Sequence, residues 1–414
     1  MNPVQIFRDY RYLLPAALLL VILPLNHSMA LRLLSLFLAG GIAIWHVLKN
    51  PTPRMPLKLP LAIWSGIAAL SLTWSLNPMF SFSELKTEIG YGMIAFFSFY
   101  ALTQGEREWT LWLKCIAAGV VTTVVLVLRE NNTNLADLQN YDLDWLHGSG
   151  SYSTYLATIL PVLIYLWLKT PITKYPRNLL WLAVPLFLFA GYITMNRAFW
   201  LTCNLVFVVW AGLWWVRHGR RRHTGTMFAV LLGCVLVLTL LFVAVAKQKP
   251  ADSIAQQPGA GTTSNHIVYT FERSERYDIW YFWIDRIAEN PLLGIGFGRD
   301  LPHYVYADMR PSEWHALMFA HAHNVLLDYA LQLGIVGLAS FMFLLGAIVH
   351  RFWQLYSSAL EEASLIGICG ITTVIAMLSK NMTDDLFWRG NSLLFWMLMG
   401  ILLGYGMRLD GRQK

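Results

Sequence analysis

The chain has 414 residues, of which 56% are hydrophobic and only 13% charged, with a formal net charge of +7. So few charges cannot solvate a soluble surface of this size, which excludes a water-soluble globular enzyme and predicts an all-α, polytopic membrane protein. Eighteen Trp, eighteen Tyr and twenty-two Phe supply the aromatic mass that anchors spans at headgroup level.

Taken in order, the apolar stretches predict about 12 transmembrane helices in one domain over 1–414. They lie near residues 12–26, 29–48, 59–76, 89–102, 109–128, 152–168, 179–195, 198–216, 227–245, 324–349, 363–378 and 393–407. Several fall short of the roughly 20 residues that a perpendicular helix needs. The first follows Arg8 and Arg11 but lacks a small-x-small cleavage site, so it is expected to be a retained helix rather than a signal peptide.

Cations favour alternate connections. One set holds Lys49, Arg54, Lys58, Lys169, Lys174, Arg177, Arg217 and Arg220-Arg221-Arg222, then Arg351, Arg408, Arg412 and Lys414. The opposite set is poor in cations, and the connection around Asp137, Asp142 and Asp144 is acidic. By the positive-inside rule both termini are cytoplasmic and the long loop after the ninth span is exported. The basic excess is thus topological, and membrane lipid rather than nucleic acid is the expected surroundings. Cys115, Cys203, Cys234 and Cys369 all fall in spans, so no disulfide framework or thiolate metal site is implied.

The large loop, about residues 247–322, begins Gln-, Pro-, Gly- and Ser-rich and then changes character. Over 271–289, Ile279, Trp280, Trp283, Ile284 and Ile287 recur at helical spacing, opposed by Arg273, Asp278, Asp285, Arg286 and Glu289. That pattern predicts an amphipathic helix on the outer leaflet or packed on the bundle. Asn290-Pro291 ends it, and Gly294-Ile295-Gly296-Phe297-Gly298 follows. Without a preceding strand and a following helix, this glycine run fits a turn better than a phosphate loop.

Three side chains stand out. Arg197 lies in Thr194-Met195-Asn196-Arg197-Ala198-Phe199-Trp200, where two spans meet with almost no loop; a cation so near hydrocarbon pairs, serves a substrate or snorkels. Arg276 shares a helix side with Trp280 and Trp283. His323, at a helix start beside Asn324, has the chemistry of a general base near neutral pH. His321 and His323 together suggest a metal, but residues two apart diverge on a helix and no further Cys or His set stands nearby, so no metal is expected. Asp384 and Asp385 would hold a cation, orient a base or pair with Lys380 or Arg389. Ser153 and Thr154, in a hydroxyl-rich helix start at Gly148-Ser149-Gly150, are only partly explained by capping.

In order along residues 150–400, these segments resemble the O-antigen ligase and polymerase superfamily, and within it the O-antigen ligases. The residues that carry the likeness are Thr194 to Ala198, Arg276 with Trp280, Asn290-Pro291-Leu292-Leu293-Gly294 through Gly298, His323 through Leu327, Leu333-Gly334-Ile335-Val336-Gly337 and the Asp384 region. The first 140 residues resemble the family only in their run of spans.

The resemblance implies a GT-C-like glycosyltransferase of the bacterial inner membrane with its site on the periplasmic face. It implies His323 as catalytic base and Arg197 and Arg276 on a lipid diphosphate, with His321, Asn324, Asp384, Asp385, Arg389, Ser153 and Thr154 as supporting candidates and no cofactor. Its donor would be a polysaccharide on undecaprenyl diphosphate, its acceptor a sugar hydroxyl of lipid A–core, and its outcome inversion by direct displacement. Alternatives with the same donor are an O-antigen polymerase and a protein O-oligosaccharyltransferase. The short stretch after the last span favours the ligase. A transporter or flippase would instead place charges at mid-membrane.

Overall fold

A computed structural model describes residues 11–50, 55–130, 143–169, 177–218, 233, 237, 239–240, 275–312, 314 and 319–411. The described residues fold into helices and connecting turns. In chain order these are α1 (Leu14–Ile22), α2 (Met29–Lys49), α3 (Lys58–Leu70), α4 (Pro78–Glu84), α5 (Tyr91–Leu102), α6 (Glu106–Glu130) and α7 (Gly148–Lys169). They continue with α8 (Arg177–Ile193), α9 (Arg197–His218), α10 (Glu275–Glu289), α11 (Leu301–Val305), α12 (Val325–Tyr356), α13 (Glu361–Asn381) and α14 (Arg389–Gly411).

A helix stands at every expected span except 227–245, which lies almost wholly outside the described residues. By length and composition, 7 helices among the described residues are long and apolar enough to cross a membrane, namely α2 with the turn before it, α6, α7, α9, α12, α13 and α14. The chain is a multi-pass membrane protein. The expected spans at 59–76 and 89–102 are shorter helices of 13 and 12 residues. Between them the chain turns through α4 and a π-helical segment, Leu85–Gly90.

α13 is apolar on nearly every side, so it is buried on nearly every side, packed among α7, α9, α12 and α14. A second, smaller core caps this bundle. It joins Ile279 and Trp283 of α10 to Ile295, Leu301, Tyr306, Phe319, Ala322 and Leu331. The amphipathic helix expected over 271–289 is present as Glu275–Glu289, with its first four expected residues outside the described set. Ile279 and Trp283 of its apolar stripe are docked in the small core, while Ile284 is exposed, with Tyr277 and Tyr281 beside it.

α12 is broken at Gly334, whose φ of 63° and ψ of −167° end one helical segment and start another. The break releases backbone groups that no water can satisfy inside a membrane, at several kcal/mol each if unmade. The turn after α10 supplies the partners. Ile295 and Gly296 N–H donate to the Leu331 and Gln332 carbonyls (3.1 and 2.9 Å), and Ile335 and Val336 N–H donate to those of Pro291 and Leu292 (2.9 and 3.4 Å). Contact this close needs glycine on both strands of the splice. A Cβ on Gly294 would lie 2.5 Å from the Gln332 backbone, and one on Gly334 would lie 2.2 Å from the Leu292 carbonyl. The Gly294–Gly298 run is therefore a splint for a broken helix, in keeping with a turn and not with a phosphate loop.

Candidate functional site

The site forms where the small core meets the start of α12. Asn324 caps that helix, its Oδ1 accepting from Leu326 and Leu327 N–H (3.0 and 3.3 Å). Its Nδ2 donates to the Met382 carbonyl at 3.0 Å, which ties the start of α12 to the link after α13. Asp328, one turn into α12, accepts from Ala322 N–H at 2.7 Å, and Ala322 itself is buried in the small core. Held at both ends, His323 takes a left-handed φ of 52°, a strained conformation for a side chain of this size.

This bend overturns the argument that the two histidines diverge. His321 and His323 precede the helix rather than lie on it, and their rings pack with centroids 4.0 Å apart. His323 Nδ1 faces Asp384 Oδ1 at 3.5 Å. Burial alone would push the Asp384 carboxyl up. The His323 contact and the charges of Lys380 and Arg276 outweigh it and hold the carboxyl at about 2, so it is ionised at neutral pH.

His321 has a different partner. Arg299 Nη2 lies 2.7 Å from its Nε2, and a guanidinium can only donate, so that nitrogen accepts and the ring proton sits on Nδ1. Burial, followed by the charge of Arg299, keeps the His321 pKa well below the ordinary value. Both rings face a carboxylate through Nδ1, His321 toward Asp300 at 3.9 Å and His323 toward Asp384 at 3.5 Å, but only His321 has its Nε2 occupied by Arg299.

Arg299 is a site residue that no sequence motif marks. Its Nε also donates to the Asp385 carbonyl (2.8 Å), and its guanidinium lies over the Trp388 ring at 4.9 Å. The only local signal was a charge directly after a glycine run.

The geometry separates Asp384 from Asp385. Asp385 turns inward, accepts from Phe387 N–H at 3.2 Å, and its carboxyl is pushed up, by burial first. The expected pairing of these acids with Lys380 or Arg389 is not what forms. No ion pair joins Asp384 to either among the described residues; its partner within 4.0 Å is His323. Arg389 turns away, with its guanidinium over Trp388 at 3.7 Å and its backbone N–H donating to the Glu88 carboxylate. Ser153 and Thr154 are buried, and both hydroxyls donate back to the Gly150 carbonyl (2.8 and 2.9 Å). They shape the helix start beside Asp384, since a Cβ on Gly150 would lie 3.2 Å from Asp384 Oδ2.

Arg276 and Arg197 approach from separate helices. Arg276 is half-buried on α10, and its charge acts on both Asp384 and His321. Arg197 opens α9 after a tight turn in which Asn196 Oδ1 accepts from Phe199 N–H (3.0 Å). Thr202, further along α9, accepts a 3.3 Å hydrogen bond from Ser379 near the end of α13, so Arg197 stands at the same end of the bundle as Asp384. A cation in the first turn of a helix opposes the helix dipole, an arrangement that suits an anionic ligand.

The ligand atoms of His321, His323 and Asp384 lie within 4.8 Å of one another, a spacing a metal ion could use. The surroundings oppose one. Arg299 occupies His321 Nε2, and the charges of Arg276 and Lys380 converge on Asp384, so the potential favours an anion.

An O-antigen ligase family model matches residues 179–342, which include Arg197, Arg276, Arg299 and both histidines. Over 322 residues the chain is 24% identical to the O-antigen ligase of Salmonella typhimurium, covering 75% of this chain and 74% of that protein. Over these stretches the chain is similar to O-antigen ligases. A Rickettsia conorii protein provisionally designated a polysaccharide ligase is 29% identical over 205 residues, 46% of this chain and 44% of that one. A similarly designated Rickettsia felis protein is 28% identical over 186 residues, 42% of each. The chain thus spans less than half the length of these Rickettsia relatives. The interval of the family-model match ends before Asp384, which comes to His323 only through folding.

Proposed function

We propose that the protein is a membrane glycosyltransferase that joins a polysaccharide carried on undecaprenyl diphosphate to a sugar hydroxyl of lipid A–core. The observation that carries this reading is the ionised Asp384 behind His323 within a group of cations drawn from separate helices.

The chemistry follows from that arrangement. Asp384 accepts the Nδ1 proton of His323 and leaves a lone pair on Nε2, the tautomer a general base needs. The 3.5 Å separation is long and is expected to tighten when substrate fills the site. An acceptor hydroxyl gives its proton to Nε2 as its oxygen attacks the anomeric carbon of the donor. The bond from that carbon to the diphosphate breaks on the opposite face, so configuration inverts. Negative charge grows on the departing diphosphate, where Arg197 and Arg276 can each present a planar fork to two oxygens. Fixed donors of this kind are worth about 3–4 kcal/mol each in a dehydrated site. No nucleotide is needed, because the donor is already activated, and the guanidiniums take the place a metal would hold.

The test is reconstitution of purified protein with diphosphate-linked polysaccharide and core lipid, with and without chelator. Polysaccharide attached to lipid A–core, undiminished by chelation, is the expected product. Longer polymer on the carrier lipid would identify a polymerase instead. His323→Ala should lower transfer by about 10²–10⁴-fold while donor binding persists, and normal turnover in that variant would reject the assignment.

A further inference from the structure

Lys380 ends α13 with 0% of its side chain exposed. Its Nζ has no hydrogen-bond partner among the described residues. An ammonium taken from water without a partner costs several kcal/mol, and an ionisable group at such a position in a membrane protein serves a counter-ion or a ligand.

The structural explanations fail one by one. The counter-ion would be Asp384, whose carboxyl feels the Lys380 charge, yet the oxygen facing the site is committed to His323 and no ion pair joins it to Lys380. The helix end does not use the amine either. Asn381 Nδ2 donates to the Met377 carbonyl (2.7 Å), and Asn381 Oδ1 accepts from Leu386 N–H (2.7 Å).

Arg276 shares the condition, since its Nη1 is buried and without a hydrogen-bond partner among the described residues. Its charge and that of Lys380 act on the same carboxyl. Arg197 opens the helix that hydrogen-bonds Ser379, the residue before Lys380. Lys380 and Arg276 are two cations acting on one carboxylate. A polyvalent anion with several acceptor oxygens is the ligand class that makes such a grouping favourable.

We propose that Lys380 is a third cationic ligand of the donor diphosphate and completes a cradle with Arg197 and Arg276. This rests on the donor assignment above. The two residue types divide the work: the guanidiniums set the orientation of the phosphates through their forks, and the ammonium adds a compact charge deep on the α13 side.

The experiment measures binding of undecaprenyl diphosphate to purified protein in detergent, with undecaprenyl monophosphate as control, alongside thermal stability without ligand. Lys380→Met, similar in length and apolar, should weaken diphosphate binding by about tenfold or more. It should leave ligand-free stability unchanged or raised, because an unpartnered buried charge is removed. A structural ammonium gives the opposite pair, with binding unchanged and the melting temperature lowered, and that result overturns the proposal. Lys380→Gln, which keeps a polar head without charge, carries the same test if the Met variant does not fold. In transfer assays KM for donor should rise more than kcat falls. His323→Ala should bind diphosphate normally, so lost turnover with intact binding faults the base assignment alone. A wild-type protein that ignores undecaprenyl diphosphate removes the donor and Lys380 together.

Discussion

Two irregular regions lie within a few residues of each other, and they are built on opposite terms. At the Gly294–Gly334 splice the chain leaves helical geometry twice, yet the freed groups at Leu331, Gln332, Ile335 and Val336 all find backbone partners. At the histidine site the backbone is equally strained, with His323 at a φ of 52°, but Lys380 Nζ and Arg276 Nη1 are buried without hydrogen-bond partners among the described residues. Both regions break regular structure, and only one keeps donors in reserve. Between these two regions, the difference lies in the side chains: the splice leaves no backbone donor unmade at its four crossing points, and the histidine site holds two cations with buried, unmade donors.

The sharpest way to break that contrast is to damage the splice. Gly334→Val should have the largest effect of all, because a Cβ would collide with the Leu292 carbonyl at 2.2 Å and a β-branched residue resists a φ of 63°. The expected outcome is loss of folded protein, seen as collapse of the monodisperse peak in detergent. A folded Gly334→Val protein with normal melting would show that the splice is dispensable and that α12 can run straight.

A milder change on the other side of the contrast is Asp384→Asn. It keeps the shape beside His323 but removes the charge that holds the proton on Nδ1. Transfer should fall by about ten- to a hundredfold, less than for loss of the base itself. There is also a stability signature. The folded carboxyl is depressed to about 2, below the unfolded value of about 3.9, so its contribution is present above that unfolded value and lost as pH falls toward 2. The Asn variant should lack this acid limb in melting curves, and an unchanged limb would show that Asp384 is not held ionised.

Much of this was legible along the chain because it depended on local periodicity. Helix positions, the docked Ile279 and Trp283, the turn at Gly294 and the helix start after His323 and Asn324 all follow from short-range patterns. The unreadable part was pairing across long separations. Arg299 meets His321 across 22 residues and His323 meets Asp384 across 61, and no local pattern encodes either. The local pattern offers Lys380 only as a salt-bridge partner for the acids beside it; in the fold its charge acts on Asp384 without an ion pair, and its amine has no hydrogen-bond partner among the described residues. Likewise Ser153 and Thr154 looked available until the helix start bent their hydroxyls onto Gly150.

The smallest expected effect falls between the two extremes, at Glu88 in the π-helical turn Leu85–Gly90. This carboxylate accepts the Arg389 backbone N–H through both oxygens (2.9 and 3.1 Å), so it supports irregular backbone as the splice does. Yet it is itself a half-buried acid. Burial pushes it up to about 8, helped by the charge of Glu84 and opposed by the Arg389 N–H and the charges of Arg299 and Arg389. An acid whose folded pKa lies above the unfolded value, about 4.3, contributes stability that is complete below that value and is lost as pH rises toward 8. Glu88→Gln cannot ionise and still offers one carbonyl oxygen to Arg389. Its melting temperature should therefore decline less than that of the wild type between about pH 5 and 8, with the gap widening toward the alkaline end. Parallel curves would show that Glu88 is already charged in the folded protein, which would move it from the supporting side of the contrast to the side that holds charge for use.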